Sequence, residues 1–284
     1  MIRIISDSTC DLSPELKARY NIGILPLHIN LGDKEYLDGK DITPDDIYKW
    51  SDEHGETPKT AAPSIAEAAD CLRPYLEEAD ELIVFTISSS MSACNNVCKL
   101  AAQELEAEDR IHVIDSENLS TGIGLLVIEA AEMAAAGYSS DRIIQEIYRL
   151  RPLVRASFVV DTLVFLYRGG RCSGLAAMLG SALKLHPRIS VADGAMSSGR
   201  KFRGTAAKVI MDYTKDMEEA LKTAKKDRVF ITHSGCSTEI IDSVRTYLEG
   251  LHVFDEILVT RAGGVISSHC GPGTLGVLFI AKAD

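Results

Sequence analysis

The run Leu82-Ile-Val-Phe-Thr-Ile-Ser-Ser-Ser-Met-Ser-Ala-Cys-Asn-Asn96 changes period halfway along. A short apolar stretch ends at Thr86, four serines fall within positions 88–92, and a segment of helical period follows over about 92–107. A second short apolar stretch occupies 111–114. Strand, polar loop, helix and strand in this order form a βα unit of the kind that builds a mostly parallel sheet. The same alternation extends in both directions. Strands are expected at 2–5, 22–29, 157–160, 229–232, 257–259 and 276–281, and helices at about 14–20, 44–53, 64–78, 119–136, 139–150, 205–225 and 238–249. The chain therefore reads as an α/β protein.

A length of 284 residues, 46% hydrophobic and 25% charged, is enough for one large domain or two ordinary ones. Two consecutive helices precede residues 155–161, and a stretch rich in glycine and arginine follows, so a boundary is expected near 155. This gives an N-terminal α/β domain over 1–155 and a smaller α/β domain over 156–284, with a ligand crevice between or beside them. The net charge of −11 argues against a general nucleic-acid binder. No apolar run reaches the roughly 18 residues needed to span a bilayer, and the start lacks a basic region followed by a long apolar one, so a cytoplasmic location is expected. Seven scattered cysteines without a CxxC pair read as free thiols and point to no metal. Cys94 and Cys98 read as small buried hydrophobes. Asp7 and Asp115 follow strands, where metal or ribose ligands occur, although turn formation accounts for Asp7 equally well.

Between 168 and 203 lie Arg168, Arg171, Lys184, Arg188, Arg200, Lys201 and Arg203 against the single acid Asp193, a local excess of +6 (seven minus one) in an acidic chain. Such a block suits an anionic partner, a phosphate or a membrane surface, or else pairs with acids elsewhere in the fold. Three polar loops are candidates for chemistry. Ser88, Ser89, Ser90 and Ser92 precede a helix, where free N–H groups and hydroxyls favour an anion, and one N-cap requires only one serine. In Lys59-Thr-Ala-Ala-Pro-Ser-Ile-Ala-Glu67 the Ser64 and Glu67 spacing is a capping box, which leaves Thr60 without a structural task. In Ile266-Ser-Ser-His-Cys-Gly-Pro-Gly-Thr-Leu-Gly276, His269 precedes glycines that let backbone approach a ligand.

Taken together, Ser6-Asp-Ser-Thr-Cys-Asp-Leu12, Thr60 with Pro63-Ser64, Ser88-Ser-Ser-Met-Ser92, Asp115-Ser116, Arg168-Gly-Gly-Arg171 and Ser268-His-Cys-Gly-Pro-Gly273 resemble, in this order along the chain, the DegV family of bacterial fatty-acid-binding proteins. The resemblance implies a two-domain DegV-like α/β fold with a parallel sheet in the N-terminal domain. It also implies a buried long-chain fatty acid, such as palmitate, as ligand, with no other cofactor and no metal. The carboxylate would be held by Thr60 and Ser92, with His269 in the same network. Some relatives resemble acyl-carrying subunits of fatty acid kinase, which implies a kinase catalytic subunit as partner, transient contact with a membrane surface, and no catalysis by this chain. Arg171 and Arg203, with Arg168, would then serve the exposed end of the site or its docking surface. The tail pocket is expected among the apolar stretches 123–128, 163–166 and 175–183, each of which is also ordinary core material.

The chain departs from the family pattern at Ala61, Ala62, Ala93 and Cys94, which alter the surroundings of the head group. Three other readings stay open, one of which makes the basic block a regulatory surface with no essential ligand. Ser92 and His269 could be nucleophile and base of an acyl hydrolase, although the Gly-x-Ser-x-Gly elbow is missing and no acid is evident to orient the histidine. A resemblance to the substrate-binding half of dihydroxyacetone kinases would replace the lipid by a small hydroxyketone.

Overall fold

In the computed structural model, which describes residues 1–172 and 185–283, the first apolar run forms β1 (Ile2–Asp7). It lies between β2 (Gly23–Leu25) and β6 (Glu81–Thr86), and β7 (Ile111–Asp115) completes a four-stranded parallel sheet of order β2-β1-β6-β7. Both faces of β6 are buried, which is why it reads as an unbroken apolar run rather than an alternating one. A three-stranded antiparallel sheet, β4 (Lys34–Leu37), β3 (His28–Leu31) and β5 (Lys59–Ala61), stands beside it. Helices α1 (Pro14–Arg19), α2 (Pro44–His54), α3 (Ile65–Glu78), α4 (Cys94–Glu104), α5 (Thr121–Ala135) and α6 (Ser140–Leu150) fall in this half of the chain. Capping boxes at Thr43/Asp46 and Ser64/Glu67 fix the starts of α2 and α3.

From β8 (Val154–Val159) the chain builds a six-stranded sheet with β9 (His186–Ala192), β10 (Ala195–Phe202), β11 (Ala224–His233), β12 (Glu256–Arg261) and β13 (Leu275–Ala281). Its order is β10-β9-β8-β13-β11-β12, antiparallel throughout except between β11 and β12. The helices here are α7 (Val164–Gly169), α8 (Ala206–Asp216), α9 (Glu218–Lys222), α10 (Thr238–Gly250) and α11 (Gly264–Cys270). One apolar core gathers under α8 and α10 around the buried Tyr213, whose hydroxyl donates to the Ser157 carbonyl at 2.6 Å and accepts from Val277 N at 3.0 Å. The larger core runs from β1 through α5 to β8. Helix α5 is buried over residues 121–131 because it packs on β1 and β6 on one side and on β8 and β13 on the other.

Several expectations are corrected. The strand expected over 22–29 is two strands: Pro26 cannot donate to a ladder, so the chain turns there from the parallel sheet into β3. The helix expected over 205–225 ends at Lys222 after a break at Met217, and Ala224 already belongs to β11. Strands β4, β5, β9 and β10 and helices α7 and α11 fall outside the expected elements. Among the described residues no helix is long and apolar enough to cross a membrane.

Candidate ligand-binding site

Thr60 sits in the middle of β5, paired with Ile29 of β3. The capping box that starts α3 follows at once and fixes the strand's exit. Helix α11 packs against α7, α2, β3 and β5, which brings its last turn to the strand. There Thr60 Oγ1 and His269 Nε2 lie 2.8 Å apart. The other face of the imidazole rests on Gly169, where a Cβ would stand 2.4 Å from His269 Nδ1, so only glycine permits the approach. Burial, and then the charge of Arg171, push the His269 pKa down to about 4. The ring is therefore neutral near pH 7, with one N–H. Placed on Nε2, that hydrogen donates to Thr60 Oγ1 and leaves the threonine's own hydrogen free for an anion. Among the described residues His269 Nδ1 has no hydrogen-bond partner.

Thr60, Ser92 and His269 border one cavity of about 230 Å³. Ser92 Oγ accepts from Cys94 N at 3.2 Å, the first turn of α4, which leaves its own hydrogen to offer. The rest of the wall is mostly apolar, with Met91, Leu119, Met196 and Ile266 among its members, and among the described residues Arg171 is its one guanidinium. Ala61, Ala62 and Ala93 are direct lining residues, so the departures from the family pattern shape the chamber itself, whereas Cys94 is buried beneath the serine loop. Behind Leu119, Ile266 and Cys270, which border both spaces, lies a narrow apolar cavity of about 20 Å³ reaching Phe158 and Leu278.

The remaining serines of the loop have structural partners. Ser88 and Ser90 hydroxyls lie 2.9 Å apart and both donate to the carbonyl of Gly194, at the tip of the β9–β10 hairpin. Ser89 N donates to the Asp115 carboxylate. Asp7 anchors the loop from below: it accepts from Ile87 N at 2.7 Å and from Thr9, and burial raises its pKa to about 6. Both aspartates thus serve turns, and among the described residues no group of three or more His, Cys, Asp or Glu converges as a metal ion would require.

The three arginines separate. Arg171 borders the cavity and donates to the Gly169 carbonyl. Arg168 points away, donating to the Gly55 carbonyl at 3.1 Å. Arg203 lies on a separate open groove of about 1050 Å³ with Arg200, Lys201, Lys208 and Lys215. Within the basic block Arg188 and Arg200 share Asp216, so part of the excess is paired inside the fold. Lys184 and the stretch 175–183 lie outside the described residues. Sequence reading also missed Leu27 and Met196 as lining residues, and an isolated apolar residue beside a turn carries no signal that would find them.

A wall of this kind suits an anion with an apolar tail. Among the described residues it forms no serine-hydrolase triad: His269 bonds to Thr60 rather than Ser92, and no described carboxylate meets its Nδ1.

Known proteins resemble this chain over nearly its whole length. A family model described as "Uncharacterised protein, DegV family" matches residues 1–282. A DegV domain-containing protein of Deinococcus radiodurans is 33% identical over 276 residues, 97% of each chain. Among solved structures, a fatty-acid-binding DegV family protein from Thermus thermophilus is 33% identical, covers 99% of both chains and superposes with a TM-score of 0.90. A stearic acid-binding protein from Eubacterium ventriosum is 28% identical, with 99% of both chains covered and a TM-score of 0.85. These matches over nearly the whole length lead to one conclusion: the chain belongs to the DegV family.

Proposed function

We propose that this protein binds a long-chain fatty acid, its carboxylate held by Thr60 and Ser92 with His269 behind Thr60, and its acyl chain in the apolar chamber. The observation that carries the reading is that the Thr60–His269 pair and Ser92 border one cavity whose other walls are largely apolar. The fatty-acid-binding relatives from Thermus thermophilus and Eubacterium ventriosum support it.

Burial of each methylene contributes roughly 0.8 kcal/mol, so the tail supplies most of the affinity. The head-group bonds mainly offset the cost of taking a carboxylate out of water, and so set specificity. The chamber is smaller than the roughly 300 Å³ at which ligand sites usually begin. The inner cavity adds only about 20 Å³, so a full-length chain requires Leu119, Ile266 and Cys270 to part and the chamber itself to widen. Neutral hydroxyls, unlike a bidentate arginine, leave the carboxylate oxygens nucleophilic. For that reason the same proposal includes presentation of the fatty acid to a kinase in the cytoplasm, with Arg171 at the mouth and the basic groove around Arg203 as docking contacts for the kinase or, transiently, for an anionic membrane. The chain itself carries no catalysis in this reading, and its domains are 1–155 and 156–284. Extraction of the purified protein with organic solvent, followed by mass spectrometry, is expected to release a fatty acid. Absence of any acyl species, together with no binding of palmitate in titration, would remove the reading.

A further inference from the structure

Helix α11 is gripped at its first turn by two carboxylates from the N-terminal half of the chain. Asp11 Oδ1 accepts from Gly263 N at 2.8 Å, and Asp38 Oδ1 accepts from Gly264 N at 2.7 Å. A Cβ at Gly264 would stand 2.9 Å from Asp38 Oδ1 and 2.5 Å from Ile29 Cδ1, so the close fit depends on glycine. The two aspartates are only 4% and 3% exposed. A side chain at the helix's own N-cap would reach the N–H groups of the second or third helical residue, so these two N–H groups, of the N-cap and of the first residue, take acceptors from elsewhere in the chain, here at the cost of burying two acids.

The surroundings are also strained. Asp11 adopts φ 51° and ψ 23°, and Ser120, whose hydroxyl donates to Asp11 Oδ2 at 2.5 Å, adopts φ 53° and ψ −145°. Non-glycine residues hold such conformations only where their neighbours over-determine them, and they gather where geometry matters to function. The other end of α11, about 10 Å away along a seven-residue helix, carries His269 against Thr60.

We propose that Asp11 and Asp38 are positioning residues for the carboxylate clasp: they seat the first turn of α11 and so fix where His269 meets Thr60. This rests on the fatty-acid reading of the site. A stiff helix this short transmits a shift of its first turn to its last. Ser120 also borders the inner apolar cavity, so the seat and the tail space share a wall.

The groups facing the two carboxylates are Asp7, Cys10 and Cys270, with Lys17, Lys40 and Arg261 around the adjoining cleft. Burial pushes the Asp11 pKa up to about 8, and its protonated form keeps both bonds, accepting at Oδ1 and donating from Oδ2 to Ser120. Asparagine retains this pattern and alanine does not.

The test uses the full chain and palmitate displacement titrations of D11A, D11N, D38A and D38N, each alone and combined with H269A, with ¹⁵N signals of the His269 ring as a second readout. D11A and D38A are expected to lose about tenfold in affinity and to shift the ring signals, while the asparagine variants stay within about twofold; in the H269A background the alanine changes add less than about twofold. Losses that simply add to that of H269A, or alanine variants that bind as the wild type does, overturn the proposal. Should D11A fail to fold, S120A replaces it: shifted ring signals support the seat and unchanged ones reject it. Should the wild type bind no palmitate, the fatty-acid reading falls, yet the ring signals of D38A still decide whether Asp38 positions His269.

Discussion

At Thr60 and Ser92 a single hydroxyl hydrogen separates a clasp from a plain apolar pocket. T60A and S92A are each expected to weaken palmitate binding by about tenfold, since a hydrogen bond to a charged group contributes roughly 1.5 kcal/mol or more, while T60S keeps most of the affinity. Competitive fluorescence titration measures this directly. Gly169 offers a sharper check. In G169A the new methyl occupies the space of His269 Nδ1, so the ring must leave Thr60, and the affinity loss should match that of H269A. The titrating groups make opposite contributions to stability. His269 binds protons less readily folded than unfolded, so its contribution falls as pH drops from 6.5 toward about 4. Asp11 binds its proton more readily folded, so its contribution is complete at acid pH and is lost as pH rises toward about 8. Above pH 6.5 the histidine no longer interferes, and thermal denaturation up to about pH 8 should show wild-type stability falling more steeply than that of D11N.

Elements with a clear period were legible, and elements held by their neighbours were not. The buried strands β1, β6, β7, β11 and β13 announce themselves as short apolar runs, and α3 by its capping box. Strand β10 reads Ala-Met-Ser-Ser-Gly-Arg-Lys-Phe, largely exposed at the edge of its sheet, so nothing in its composition signals a strand. Helix α11 escapes because its N-terminal N–H groups are met by Asp11 and Asp38, distant in sequence, rather than by a cap of its own. Thr60, Ser92 and His269 were singled out as a set by the resemblance to the DegV family rather than by any local pattern, and the fold brings all three to one cavity. The serine loop was over-read: Ser88 and Ser90 serve the Gly194 carbonyl, a partner more than a hundred residues away that no local pattern reveals.

On the scale of the whole molecule, α5 lies between the two large sheets and carries a buried ionic link from one half of the chain to the other. Glu129 accepts from Lys225 Nζ at 2.7 Å and from Arg228 Nη1 at 3.2 Å, and Arg228 also reaches Glu132 at 2.6 Å. Arg228 is only 7% exposed, so E129L leaves a buried cation short of a partner and should cost about 3 kcal/mol in urea denaturation. The same packing places the candidate site where α11, β5 and the serine loop meet, with an apolar interior behind a polar rim. In the proposed function that arrangement recognises a carboxylate on a long tail, and the head group is what separates it from a general apolar cavity. Calorimetric titration of the delipidated protein with palmitate and with methyl palmitate, which share the tail and differ in the charge, therefore bears on it most directly. Tight binding of the acid with the ester at least about a hundredfold weaker is the predicted result. Equal binding of the two, or binding of the acid that survives the combined T60A and S92A substitutions unchanged, would contradict the account.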